Sequence, residues 1–230
     1  MLIPSIDLMG GKIVQLVQGR KKALEFDDFA AWVDRFSKYP LVQLIDLDAA
    51  IGTGSNVKLV RELARKLPCQ VGGGIRTVDA ARAALAAGAQ RVILGSALFA
   101  EDKLDRGFAE RTANAVGESR LVFALDAMGG RVAIHGWRKV TGVTPLEMVR
   151  ALEPWCGAFL YTHVDTEGLL RGFPRDVIRP LREATARQLI AAGGIRSQEE
   201  IDELHAMGVD AVVGMAIYQG LLPGFITSSE

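Results

Sequence analysis

The sequence predicts an α/β fold, a closed (β/α)8 TIM barrel with an internal half-barrel repeat, and three observations carry that expectation. Short β-branched apolar runs alternate with longer stretches of helical period, eight such units can be counted, and the first four resemble the last four. The strand-like runs fall at 2–7, 41–46, 70–73, 91–95, 121–126, 158–163, 188–192 and 211–214. Amphipathic stretches at 29–38, 57–66, 78–87, 145–153 and 198–207 lie between them. With 230 residues and no Pro/Ser-rich linker, the chain has room for eight βα units and no inserted domain, which suits a barrel of typically about 250 residues. An open doubly wound sheet is the alternative arrangement of the same units.

The repeat is read from three matched blocks. Ile6-Asp7-Leu8-Met9-Gly10-Gly11-Lys12-Ile13 aligns with Leu125-Asp126-Ala127-Met128-Gly129-Gly130-Arg131-Val132. Gly73-Gly74-Ile75-Arg76 aligns with Gly193-Gly194-Ile195-Arg196, and Gly95-Ser96-Ala97-Leu98-Phe99 with Gly214-Met215-Ala216-Ile217-Tyr218. One domain of two halves, about 1–119 and 120–230, is therefore expected. Recurring glycines at βα turns would explain part of the match, but not an aspartate closing both lead strands.

Composition narrows the function classes. Hydrophobic residues make up 49% and charged residues 23%, which excludes disorder, collagen and coiled coil. Lys+Arg and Asp+Glu number 27 each, without a basic run, so no nucleic-acid partner is expected. The sequence lacks an apolar span of membrane length and a signal-peptide start, so no membrane partner and a cytoplasmic location are expected. Cys69 and Cys156 sit in apolar surroundings and read as reduced packing residues.

In this fold the strand C-termini build the active site. Asp7 and Asp126 each end a strand, and the repeat sets them on opposite sides of one mouth. One ionised and one protonated carboxyl make an acid–base pair. For Asp46 and Asp48, which close strand 2, ligand orientation and rim structure are both open. Gly72-Gly73-Gly74 and Gly193-Gly194 follow strands 3 and 7, and Gly95 and Gly214 follow strands 4 and 8 ahead of Ser96 and Met215. Glycine lets backbone N–H groups approach an anion, and phosphate is the natural guest at both places. Two such turns across one mouth point to an elongated substrate with a phosphate at each end. Arg76 either assists the first turn or is solvated, and Arg20, beside Gly19 in a basic loop, carries the same alternatives. Thr162 ends strand 6 facing inward, so His163 faces the helices and is read as packing. Trp137, in a loop with His135, either closes over a flat ring or covers apolar surface. His205 lies on an outer helix and is structural. No metal cluster, Walker loop, Ser-His-Asp order or nicotinamide fingerprint is found, so no cofactor and no metal are expected.

The segments IPSIDLMGGKIVQLVQG, VGGGIR, ALDAMGGRVAIHGW and AAGGIRS closely resemble the histidine-biosynthesis isomerases that act on phosphoribosylformimino-aminoimidazole carboxamide ribotide (ProFAR), over nearly the whole chain. The resemblance implies a cofactor-free Amadori rearrangement of a bisphosphorylated aminoaldose, and a monomer. By the same resemblance Asp7 is the general base, Asp126 the general acid, Thr162 a support for ring opening, and Trp137 and Arg20 substrate-contacting loop residues. Phosphate contacts carry onto the glycines named above and onto Ser96 and Gly172. The chain departs from the family pattern at Glu167-Gly168-Leu169, where Asp-Gly-Thr is usual, and at Gln43, where a histidine is. The first departure leaves the acid role open between Asp126 and Glu167. The related cyclase that makes imidazole glycerol phosphate has Cys-Leu-Asp in strand 1, unlike Ser5-Ile6-Asp7, and ranks lower. An isomerase that also takes phosphoribosylanthranilate, and a non-catalytic phosphometabolite-binding barrel, are the alternatives.

Overall fold

The computed structural model describes residues 1–224. Eight strands form a parallel ring: β1 (Leu2–Met9), β2 (Val42–Asp46), β3 (Cys69–Gly72), β4 (Arg91–Leu94), β5 (Leu121–Met128), β6 (Ala158–His163), β7 (Gln188–Ala192) and β8 (Val209–Val213). Closure is seen where the ends of the chain meet, with Leu2 of β1 beside Ala211 of β8, and where the halves meet, with Val92 of β4 beside Leu121 of β5. Outside the ring run α1 (Phe29–Phe36), α2 (Val57–Lys66), α3 (Val78–Ala86), α4 (Arg106–Val116), α5 (Pro145–Leu152), α6 (Arg179–Ala184), α7 (Gln198–Ala206) and α8 (Met215–Tyr218). The barrel, not the open sheet, is thus the arrangement adopted.

Helix starts follow from side chains that satisfy the orphan N–H groups. Thr77 accepts from Ala80 N and Ser197 from Glu200 N, the same cap at matching places in the two halves. Thr144 and Glu147 close a reciprocal capping box with Pro145 at the first helical position. Apolar residues from the helices and from the outer faces of the strands make the larger core, with Phe36, Phe123 and Phe159 fully buried. Inward-facing residues, among them Ile3, Ile93, Val122, Leu160, Ile190 and Val212, fill the barrel itself. Its floor is polar: Arg91 donates to Gln70 Oε1 and Gln188 Oε1, and Gln188 donates to Asp210 Oδ2, while Asp210 Oδ1 faces the N-terminal amine. Gln43 accepts from Gln70 in that network, 2.9 Å away, so it serves the barrel interior. Cys69 and Cys156 are buried free thiols, and burial pushes both up to about 12.

Two lead strands overrun the sequence expectation because they continue into hairpins. β1 pairs antiparallel with Lys12–Val17, which pairs with Lys21–Phe26, so the expected basic loop at Gly19-Arg20 is the turn of a hairpin. β5 pairs with Arg131–Ile134, followed by Lys139–Val140. A one-turn helix, Leu47–Ile51, follows β2 directly.

Gly73 and Gly193 show why the turns after β3 and β7 are tight. Both have left-handed φ, +94° and +100°, and a Cβ would sit 2.1 Å from Asp46 O and 2.4 Å from His163 O. The obstacle is backbone in each case, so it cannot swing away. Gly73→Ala and Gly193→Ala are each expected to cost about 2–4 kcal/mol, a fall in Tm of about 5–15 °C by thermal melt. An unchanged Tm would mean that the neighbouring strand ends yield easily.

Candidate active site at the barrel mouth

The C-terminal ends of the strands surround a cavity enclosing about 1450 Å3, part of it open to solvent. Its charged lining residues are Asp7, Asp126, Glu167 and Arg76. Strand geometry delivers the first two: β1 and β5 stand four strands apart in a ring of eight, so Asp7 and Asp126 face each other across the mouth. Ser5 Oγ donates to Asp7 Oδ1 at 2.9 Å, yet loss of hydration outweighs that bond and pushes Asp7 up to about 6. Burial also raises Asp126, against donation from Trp137 and Thr162. The Trp137 Nε1–H reaches Asp126 Oδ2 at 2.8 Å. Glu167 is pushed furthest, up to about 8, by burial first and then by the charges of Asp7 and Asp126. Three carboxyls thus share one water-poor mouth, and at neutral pH the cluster retains a proton.

Thr162 is buried beside Asp126 in the β5–β6 register and lines the cavity, as alternation along the strand predicts. His163 points the other way: its Nδ1 lies 2.8 Å from Thr166 Oγ1 and its ring sits near Tyr161 and Phe173. Burial lowers its pKa, which suits a neutral packing residue.

The glycine turns flank the carboxyls. Gly73, Gly74, Gly95 and Ser96 line one side, and Gly193, Gly194, Gly214 and Met215 the other. Ser96 opens the short 3-10 helix Ser96–Leu98 and Met215 opens α8. Arg76 lines the first side, with its Nη2 donating to Ala49 O and Ala50 O at the end of the Leu47–Ile51 helix. Trp137 lies over the mouth with its ring against the Gly19 backbone, where a Cβ would be 2.7 Å from the ring.

Two further residues expected at the ligand stand outside the cavity lining described above. Arg20 is exposed in the hairpin turn between Lys12–Val17 and Lys21–Phe26. Gly172 stands behind the wall, its N–H donating to Gly194 O at 3.0 Å, so it supports the second turn and does not line it.

The alternatives for Asp46 and Asp48 resolve to rim structure. Asp46 accepts from Ala49 N, Asn56 N and Asn56 Nδ2, and Asp48 Oδ2 accepts from Gly10 N at 2.6 Å. Asp165, which sequence reasoning missed, does the same for the other half by accepting from Gly129 N at 2.9 Å. Its signal was present, since Asp165 follows strand 6 as Asp48 follows strand 2. Gln15 was missed too: it is buried in the wall, and a Cβ on Gly214 would meet its Oε1 at 2.5 Å. A lone polar residue in the apolar run Ile13-Val14-Gln15-Leu16-Val17 was the available clue.

An eight-stranded barrel with two glycine-lined recesses around an acidic mouth defines a class, the half-barrel-repeat (β/α)8 proteins. Within that class, the chain belongs to the histidine biosynthesis protein family, whose model matches residues 1–223. It is 36% identical over 230 residues to the 1-(5-phosphoribosyl)-5-((5-phosphoribosylamino)methylideneamino)imidazole-4-carboxamide isomerase of Methanocaldococcus jannaschii, covering 96% of this chain and 94% of the relative. The protein of the same description from Thermus thermophilus is 39% identical over 226 residues, 95% of this chain and 94% of its own. That of Deinococcus radiodurans is 36% identical over 232 residues, with 96% and 95% covered.

Proposed function

We propose that this protein is a cofactor-free aminoaldose–aminoketose isomerase acting on ProFAR, the substrate named for its relatives, in histidine biosynthesis. The observation that carries the reading is the cluster of Asp7, Asp126 and Glu167 in one mouth between two glycine-lined recesses. An Amadori rearrangement needs an acid at the ring oxygen and a base at the neighbouring carbon. Asp126, its pKa raised by burial, gives its proton to the ring oxygen as the C1–O bond breaks and the nitrogen lone pair forms a Schiff base. Asp7, across the mouth, then takes the proton from C2. The resulting enolamine tautomerises to the aminoketose. The rearrangement shifts hydrogen from C2 to C1 within one molecule, so it needs no external oxidant or reductant, and the proton that Asp7 has gained is exchanged with solvent while Asp126 is reprotonated before the next turnover.

Thr162 supports the acid by its hydrogen bond to Asp126, and Trp137 holds Asp126 Oδ2 in place. The recesses at Gly73, Gly74, Gly95, Ser96 and at Gly193, Gly194, Gly214, Met215 take the two phosphates through backbone N–H groups. Binding energy from the ends then fixes the reacting carbons between the carboxyls. The reading includes action as a monomer in the cytoplasm.

A turnover assay with purified protein tests it. Multiple turnovers of ProFAR to the aminoketose are expected; tight binding of ProFAR without conversion would leave only a binding barrel. The same assay with phosphoribosylanthranilate measures how far substrate range extends.

A further inference from the structure

Glu167 sits on the segment after β6, at the end of the 3-10 helix Val164–Thr166. A helix this short leaves carbonyls without intrahelical partners, and the β1 hairpin supplies them. Gln18 N–H donates to Glu167 O at 3.0 Å, and Gln18 Nε2 donates to Asp165 O at 3.1 Å. Below them Gly168 presses on the hairpin backbone, where a Cβ would be 2.3 Å from Leu16 O. On the far side Asp165 Oδ2 is tied to Gly129 N, and Gly19, next to Gln18, meets the Trp137 ring. Three loops that each bring a cavity residue are therefore joined, and the Gln18 side chain reaches from the first to the third.

Gln18 also has a left-handed backbone, φ 49°, which is uncommon outside Gly, Asn and Asp. Its side chain does not line the cavity. At this φ a non-glycine residue spends its backbone N–H and a side-chain N–H on one neighbouring loop.

We propose that Gln18 is a positioning residue that docks the β1 hairpin onto the β6 loop and so holds the Glu167 carboxyl in the mouth beside Asp7 and Asp126. The assignment rests on the isomerase reading for its effect on turnover, but not for its effect on Glu167 itself. The charged groups lining the mouth around Glu167 are Asp7 from β1, Asp126 from β5 and Arg76 after β3. On its own loop Asp165 is turned to Gly129 N, and His163 is turned to Thr166. With the two aspartates and burial as the causes of its high pKa, loosening the loop moves Glu167 toward solvent and its pKa down.

The test is Gln18→Gly, which keeps the backbone N–H and suits the left-handed φ while deleting the bond to Asp165 O. Carbon-13 NMR of glutamate-labelled protein, with Glu167→Gln to assign the resonance, is expected to show the Glu167 midpoint falling by about one pH unit. With ProFAR, kcat is expected to drop about fivefold, the worth of one hydrogen bond, with KM within about twofold and the alkaline limb of the pH profile moving down with the NMR midpoint. Gln18→Asn, which tolerates the same φ and keeps an amide donor, is expected to restore part of both. A Glu167 midpoint that stays put in Gln18→Gly overturns the proposal, whatever happens to kcat. A wild-type protein that never turns over ProFAR defeats the isomerase reading alone, because the NMR midpoint still decides the role of Gln18.

Discussion

Asp7→Asn is expected to lower kcat for ProFAR by about 10^3-fold, within the range by which a positioned base speeds proton transfer, while KM changes by less than about threefold. The amide keeps the size of the side chain and can still bond with Ser5, so the mouth keeps its shape. It has no basic lone pair to take the C2 proton. The proposed phosphate recesses stand on other strands, so substrate affinity is expected to be spared. The wild-type acid limb supplies a second check. Asp7 must be ionised to act, and with its pKa pushed up to about 6 the rate is expected to fall as pH drops through that value. Steady-state kinetics from pH 5 to 9 measure both. Turnover in Asp7→Asn near the wild-type value would remove Asp7 from the base role.

How much of this was legible in the sequence depended on whether a property was local or shared. Asp7 and Asp126 were readable because the repeat marks both, and their opposition follows from barrel geometry once strands 1 and 5 are matched. Thr162 and His163 were separable by period-2 alternation alone. Asp46 was not, because its partners include Asn56 N and Nδ2, ten residues on, and only the fold shows that its lone pairs are already used. The positions of Arg20 and Gly172 were hidden in the same way: the hairpin turn that carries Arg20 and the bond from Gly172 N to Gly194 O are set by contacts between distant segments. The helix α6 left a weak pattern, being six residues long with Pro180 in its first turn. The high pKa of Glu167 arises first from burial and then from two carboxylates on distant strands, and so exists only in the folded protein.

That setting makes the exchange of acid roles the second decisive test. Asp126→Asn is expected to lower kcat by about 10^2-fold or more, and Glu167→Gln by about tenfold or less. The reason is geometric: Asp126 is fixed by Trp137 Nε1 at 2.8 Å and by Thr162, whereas Glu167 is carried on a loop. A fixed acid transfers its proton at a defined position, and the looser one serves to keep a proton in the cluster. Glu167→Gln separates the roles further through stability. A carboxyl whose folded pKa is about 8, against an ordinary 4.5, favours the folded state below the ordinary value and loses that contribution as pH rises through about 8. Asp7 behaves alike in a lower window, from 3.8 to about 6. Removing the charge at position 167 is therefore expected to leave Tm nearly unchanged at pH 5 and to raise it above wild type at pH 9. Loss of turnover in Glu167→Gln with Asp126→Asn still active would transfer the acid role to Glu167, and a Tm difference that does not grow with pH would show that Glu167 is not held as a buried, mostly protonated acid.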